Sequence, residues 1–435
     1  IAVILAVYLG LSWLYATSVP KGNAPDEPAH YNYIRHIAET GTLPVLSPGD
    51  YDVVQVEARM SAHFPDSMSI DWMRYESHQP PLYYLLATPV YLATAGFEIT
   101  RQVVALRMFT SLIGACAVML TYLAARTLAQ GDRWLALGAA GVSAFVPMYV
   151  AMSAAIENVA LASAVMAGAL LLLIRVARGD RGRGLDPALG AVIGLALLTK
   201  VVAYTLVPLA AAALLFAEAH FEPAPGSARG VIRRAVSRLV IVIVVSVGVS
   251  GWWFARNAAV YGILDPFGLR RHDVVVAGQP LTGGITSDAI RHFGLTLFRS
   301  FWAQFGWMGI VAEDRLYTAL ALLTGLAAIG LLALGIRALL GHPRPDAATV
   351  GSVGLLAATF VLVLAATVYY NLTYLQPQGR YLFPAMLPIS LGVAAGVGAF
   401  VPRALRPLVM AGLVCALAAL TLVCLYRYVI PYFAA

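Results

Sequence analysis

Two adjacent carboxylates, Asp26 and Glu27, follow the first long apolar run of the chain, with His30 close behind them. A carboxylate just outside a membrane can take a proton from a hydroxyl or an amine, a step worth about 10²–10⁴ in rate. Tyr75-Glu76-Ser77-His78 places a second acid and a second histidine ahead of Pro80-Pro81. The remaining ionisable and polar candidates sit at the ends of apolar runs: Arg107, Glu157-Asn158, Lys200, Arg256-Asn257 and Arg380. Charge at a membrane boundary is costly unless it is paired, so each is a functional candidate by default. Cations in such places can hold an anion, and the arginine fork fits a phosphate well. Each candidate also has a structural explanation. Asp26 can cap a helix, Arg107 can snorkel or pair with the acidic loop, and Glu157-Asn158 can serve a short polar turn.

The elements that must position these residues are membrane helices. The chain is 60% hydrophobic and 12% charged over 435 residues, whereas soluble domains carry about 25% charged residues. Apolar runs recur along its whole length, which defines an all-α polytopic membrane protein. Residues 80–96 hold Pro80, Pro81 and Pro89 and read as a juxtamembrane or re-entrant segment. If they crossed, Arg175, Arg178, Arg181 and Arg183 would lie outside, against the cytoplasmic excess of basic residues. Eleven spans follow, near 1–19, 103–125, 134–151, 158–175, 187–201, 203–217, 239–255, 316–336, 349–369, 380–401 and 408–426. That arrangement puts 14 basic and 6 acidic residues inside, and 15 basic and 16 acidic residues outside. The basic balance therefore reflects topology and gives no reason to invoke nucleic acid.

One transmembrane unit over 1–435 is expected, with a first outer loop at 20–102 carrying the carboxylates and a second at 257–315. Asp26 should cap a helix that runs to about Thr40 and stops at Gly41, with Pro28 tolerated in its first turn. Ser300 to Met308 is aromatic and nearly uncharged, and should lie flat on the outer leaflet. Lys200, Arg256 and Arg380 stand at the outer ends of different spans, and the expectation is that they converge on one anion. Asp26, Glu27 and His30 leave metal dependence open, since a divalent Mg or Mn ion could sit there, although the spacing argues weakly. A transporter or lipid flippase is the rival class. It would want ionisable residues at the bilayer midplane, broken helices and repeated halves, whereas here charge gathers near the outer boundary and no repeat shows.

Taken together, these segments resemble the GT-C class of membrane glycosyltransferases, of the protein O-mannosyltransferase and aminoarabinose-transferase type. The matching stretches are Asp26-Glu27-Pro28, His78 to Leu82, Arg107, Leu197 to Lys200, Trp253 to Gly262, Ser300 to Trp307 and Gly379 to Pro384. The resemblance implies transfer of a sugar from a polyprenyl-phosphate donor to a glycan, lipid or protein acceptor. It places that reaction at the outer face of a bacterial cytoplasmic membrane. It also implies that Asp26 is catalytic; by the chemistry of the residues themselves, Glu27 is its understudy or a partner for Arg107. His78, Lys200, Arg256 and Arg380 would then hold the donor phosphate. His30, Tyr75, Glu76, Arg107, Glu157 and Asn158 would support the site.

Overall fold

Apolar runs fold as helices because a bilayer offers no water to satisfy an open backbone, and the described chain is built almost entirely of helices. The computed structural model describes residues 1–221, 227–341 and 344–434. From the N-terminus it runs through α1 (Ala2–Ser18), α2 (Glu27–Thr40), α3 (Val53–Ser61), α4 (Leu82–Ala93), α5 (Ile99–Leu128), α6 (Arg133–Phe145) and α7 (Pro147–Ser153). It continues with α8 (Val159–Ala177), α9 (Leu185–Leu197), α10 (Leu206–His220), α11 (Ala228–Tyr261), α12 (Leu269–Val275) and α13 (Ser287–Trp302). A short hairpin of β1 (Gln304–Phe305) and β2 (Ile310–Val311) leads to α14 (Asp314–Leu339), α15 (Ala347–Asn371), α16 (Met386–Gly398), α17 (Arg406–Cys424) and α18 (Ile430–Ala434).

Among the described residues, eight helical stretches are long and apolar enough to cross a membrane. They include Val201–His220, Gly379–Gly398 and Arg403–Ala434, in which short 3-10 or π turns join the neighbouring α-helices. The pair α6 and α7, bent by 62° at Val146, makes a ninth if it counts as one span. Helices α1 and α9 coincide with the two remaining expected spans but have only 17 and 13 residues. At 1.5 Å per residue, α9 reaches about 20 Å, short of a hydrocarbon core of about 30 Å. The chain breaks at Thr199-Lys200 between α9 and the next helix. Helix α4, with 12 residues, is likewise short, and Leu82 N–H bonds Leu198 O across to that break.

Small residues let the helices approach closely, as membrane bundles require. Gly330 on α14 lies against the backbone of Gly396 on α16, where a Cβ would overlap Gly396. Ser246 on α11 donates to Gly190 O on α9 at 2.9 Å. The aromatic run from Ser300 does not lie flat on a leaflet as expected. Phe301, Trp302 and Phe305 are buried, and Trp307 stacks on Phe64 and donates to Gly22 O at 3.1 Å. The physical reason is that its rings find protein partners, Phe301 against Phe383, Phe305 against Tyr15 and Trp307 against Phe64, so they bury against protein.

Candidate active site

Asp26 is the residue before α2, and the helix ends at Gly41 in the left-handed conformation, as its sequence requires. The expected side-chain cap is absent. Asp26 itself adopts φ 62°, and only its main-chain carbonyl closes the first turn, accepting from Ala29 and His30. Left-handed backbone is disfavoured for most residues but tolerated by Asp and Asn. Its effect is to free the carboxylate. One oxygen accepts from the Tyr75 hydroxyl at 2.8 Å, and the other pairs with the Arg380 guanidinium. Burial pushes the Asp26 carboxyl up, but the Arg380 charge and hydrogen bonds outweigh it and hold the group below its ordinary value.

Glu27 points the other way. Both its oxygens take the fork of Arg107, at 2.7 and 2.6 Å, and they also accept from Gly22 and Ile156 main-chain N–H groups. Arg107 spends its remaining donors on the carbonyls of Ala16, Val19 and Pro20, which are the open C-terminal end of α1 and its exit. All five guanidinium donors are therefore used, and both side chains are buried. Arg107 pairs inward; it does not snorkel.

Arg380 is the second residue of the stretch Gly379–Ala385, and Lys200 stands in the break after α9. Glu157 joins them: its Oε1 lies 3.4 Å from Arg380 Nη1 and 3.6 Å from Lys200 Nζ. Asn158 Oδ1 accepts from Lys200 at 2.9 Å. The turn between α7 and α8 thus does more than reverse the chain. Arg380 Nε and Nη1, Glu157 Oε2 and Glu76 Oε2 are all buried without a hydrogen-bond partner. Such unsatisfied groups, converging from three segments, are what a polar ligand would complete.

Arg256 does not join this cluster. Its guanidinium donates to Asn257 and to the carbonyls of Leu43 and Pro44, and it stacks over Trp253 and Tyr261. The three-cation site expected from sequence is therefore a pair, Lys200 with Arg380. The reason is that the Leu43-Pro44 main chain passes within reach of Arg256 and offers its carbonyls as acceptors.

The histidines are held neutral. His30 shares a 2.8 Å hydrogen bond between Nδ1 and the Tyr84 hydroxyl, and burial pushes it down to about 3. His78 bonds Tyr75 O through Nδ1, which fixes that nitrogen as the donor, and packs ring to ring on His272 at 4.5 Å. Burial and the neighbouring His272 push His78 well down. Asp26, Glu27 and His30 do not fit a metal. Glu27 is consumed by Arg107, His30 Nδ1 by Tyr84, and no three His, Cys, Asp or Glu among the described residues are arranged as a ligand set. A cavity of about 350 Å³ lies on the flank of α2, lined by Lys21, Glu27, Tyr31, Arg35, Met68 and Ile156, but by neither Asp26 nor Arg380.

Two contributors escaped sequence reasoning. His272 had only a basic loop around it as a signal. Ser300 receives the Gly379 N–H at 2.7 Å and so anchors the turn that presents Arg380. Gly379 sits so close to Phe301 that a Cβ would overlap its main chain.

Residues 79–250 match the family model of dolichyl-phosphate-mannose-protein mannosyltransferases. No curated protein matches the sequence. Among solved structures, ArnT from Cupriavidus metallidurans matches with a TM-score of 0.56 in its apo state and in its complex with undecaprenyl phosphate. The identities are 15% and 16%, over 95% of this chain and 63% of that one. AglB, an archaeal oligosaccharyltransferase from Archaeoglobus fulgidus bound to an inhibitory peptide and a dolichol-phosphate, matches with a TM-score of 0.51 at 14% identity. That match covers 98% of this chain and 54% of AglB. The chain thus spans a little under two thirds of ArnT and about half of AglB. At the level of fold, the GT-C resemblance read from the sequence is borne out.

Proposed function

We propose that this integral membrane protein is a glycosyltransferase that moves a sugar from a polyprenyl-phosphate donor to an acceptor hydroxyl or amine. Asp26 is the base, and the work is done at the outer face of a bacterial cytoplasmic membrane. The observation that carries the reading is the Asp26 carboxylate seated on Arg380, beside Lys200, with Arg380 Nε still without a hydrogen-bond partner. Transfer needs a base for the acceptor proton and fixed cations where charge grows on the leaving phosphate. In this reading the donor phosphate draws Arg380 toward itself, which removes the charge that keeps Asp26 weakly basic. Donor binding would then prime the base. Glu27 and Arg107 are positioning residues that tie α1, α2 and α5 together under Asp26. His78 and Asn158 flank the phosphate, with Tyr75 holding Asp26. Arg256 shapes the loop at Leu43-Pro44.

The test uses purified protein in nanodiscs with a panel of undecaprenyl-phosphate sugars and release of undecaprenyl phosphate as the readout. Wild type should turn over at least one donor in the presence of its acceptor. Arg380→Ala should weaken donor binding and transfer together, and Arg380→Lys should restore only part of either. Full activity in Arg380→Ala would remove the cation pair from the reading.

A further inference from the structure

The reading above gives no part to Glu76, an acid that is only partly exposed. Glu76 sits in the turn Tyr75–His78, one residue from the tyrosine that holds Asp26, and its Oε2 is buried without a partner. Resting on the proposed lipid-phosphate reading, we propose that Glu76 is a neutral carboxylic acid that donates a hydrogen bond to the bound phosphate. It would be a third contact beside Arg380 and Lys200, and it would carry no charge of its own.

The surroundings favour a neutral group. Asp26 already supplies one negative charge, and Glu157 a second shared between Arg380 and Lys200. A further carboxylate among two cations would leave the empty site net negative and repel an anion. Asp26, Lys200 and Arg380 are the charges that act on Glu76, the Gln79 side chain offers it a hydrogen bond, and Tyr75, Tyr84, Tyr370 and Tyr381 are the titratable groups around it. Burial, and then the Asp26 charge, push the Glu76 carboxyl up to about 8, against the opposing pull of Lys200. A protonated carboxyl at neutral pH is a donor, which is the one kind of group that an unpartnered Oε2 can offer a phosphate oxygen. The proton stays where it is. A phosphate monoester takes its second proton at about pH 6, so transfer from an acid of about 8 runs uphill, and the contact is a hydrogen bond.

The pH sign follows. Below about 8 Glu76 is protonated and contributes its bond; above it, the ionised carboxylate repels the phosphate, whose own charge no longer changes there. The probe is undecaprenyl phosphate, titrated onto full-length protein in nanodiscs between pH 6.5 and 9.5. Wild-type affinity should fall above about pH 8. Glu76→Gln, which keeps a donor but cannot ionise, should bind about as well at pH 7 and lose that alkaline fall. Glu76→Ala should bind about ten- to a hundredfold more weakly at pH 7, as expected for a lost bond to a charged group. The same alkaline fall in Glu76→Gln, or wild-type affinity in Glu76→Ala, overturns the inference. Binding abolished by Arg380→Ala yet indifferent to Glu76 overturns this inference alone. No binding to wild type at any pH overturns the lipid-phosphate reading with it.

Discussion

Asp26 and Glu27 are neighbours in sequence with opposite surroundings. The left-handed backbone at Asp26 turns one carboxylate toward Tyr75 and Arg380 and the next toward Arg107. Asn tolerates the same backbone, so Asp26→Asn removes the base without straining the turn. It should lower transfer by about 10²–10⁴ while undecaprenyl phosphate still binds. Activity within a few-fold of wild type, in the nanodisc assay, would strip Asp26 of its role. Because Arg380 holds the Asp26 carboxyl below its ordinary value, Asp26 stays ionised through neutral pH. The stability its ion pair contributes is likewise complete above the unfolded value of about 3.9. It is lost only as pH falls through the lower folded value. Thermal unfolding followed from pH 7 to 3 should show that loss in wild type and much less of it in Asp26→Asn. Glu27→Gln is a different experiment. It leaves Arg107 charged, buried and short of its partner, a change costing about 3–5 kcal/mol, and should appear first as a lower unfolding temperature and poor yield.

At the scale of elements, the site depends on two chain breaks that interrupt otherwise regular helices. Lys200 is available because α9 stops at Leu197 and the chain restarts as a 3-10 turn. Arg380 is available because the stretch Gly379–Ala385 enters its span as a 3-10 turn too, with Gly379 pressed on Phe301 and bonded to Ser300. Gly379→Ala should push that turn away from Phe301 and carry Arg380 off Asp26. The expected result is a large loss of transfer and of undecaprenyl phosphate binding, with a smaller loss of thermal stability. Unchanged binding in that variant would show that the turn tolerates a Cβ and does not set the position of Arg380.

For the whole molecule, the open question that sequence charge can answer is sidedness. If α4 lies at the interface without crossing, the outer loop at 20–102 and the inner loop at 176–186 lie on opposite sides. A cysteine at Gly182 should then react with an impermeant maleimide only from the cytoplasm, and one at Gly49 only from outside. Background from the exposed Cys116 and Cys415 is removed beforehand by Ser replacement. Labelling of both engineered positions from one side would mean that residues 80–96 cross.

Much of this was legible in the residues themselves. Long apolar runs can only be helices in a bilayer, Gly41 can stop a helix by going left-handed, and boundary charges must find partners. Those local and solvent-imposed rules gave the all-α class, the extent of α2 and most of the residues now seen around Asp26. Partnership was legible only in part. Glu27 with Arg107 stood among the alternatives and is the one the structure takes; that Glu157 joins Lys200 to Arg380, and that Arg256 turns aside to Leu43 and Pro44, depend on which helix ends meet. The same is true of the aromatic run from Ser300, whose rings suit a leaflet surface and a protein interior equally well by composition. Hydrophobicity ranks what leaves water without saying what it packs against. The direction of a side chain one or two residues either way along a turn is fixed only when the distant segments close around it.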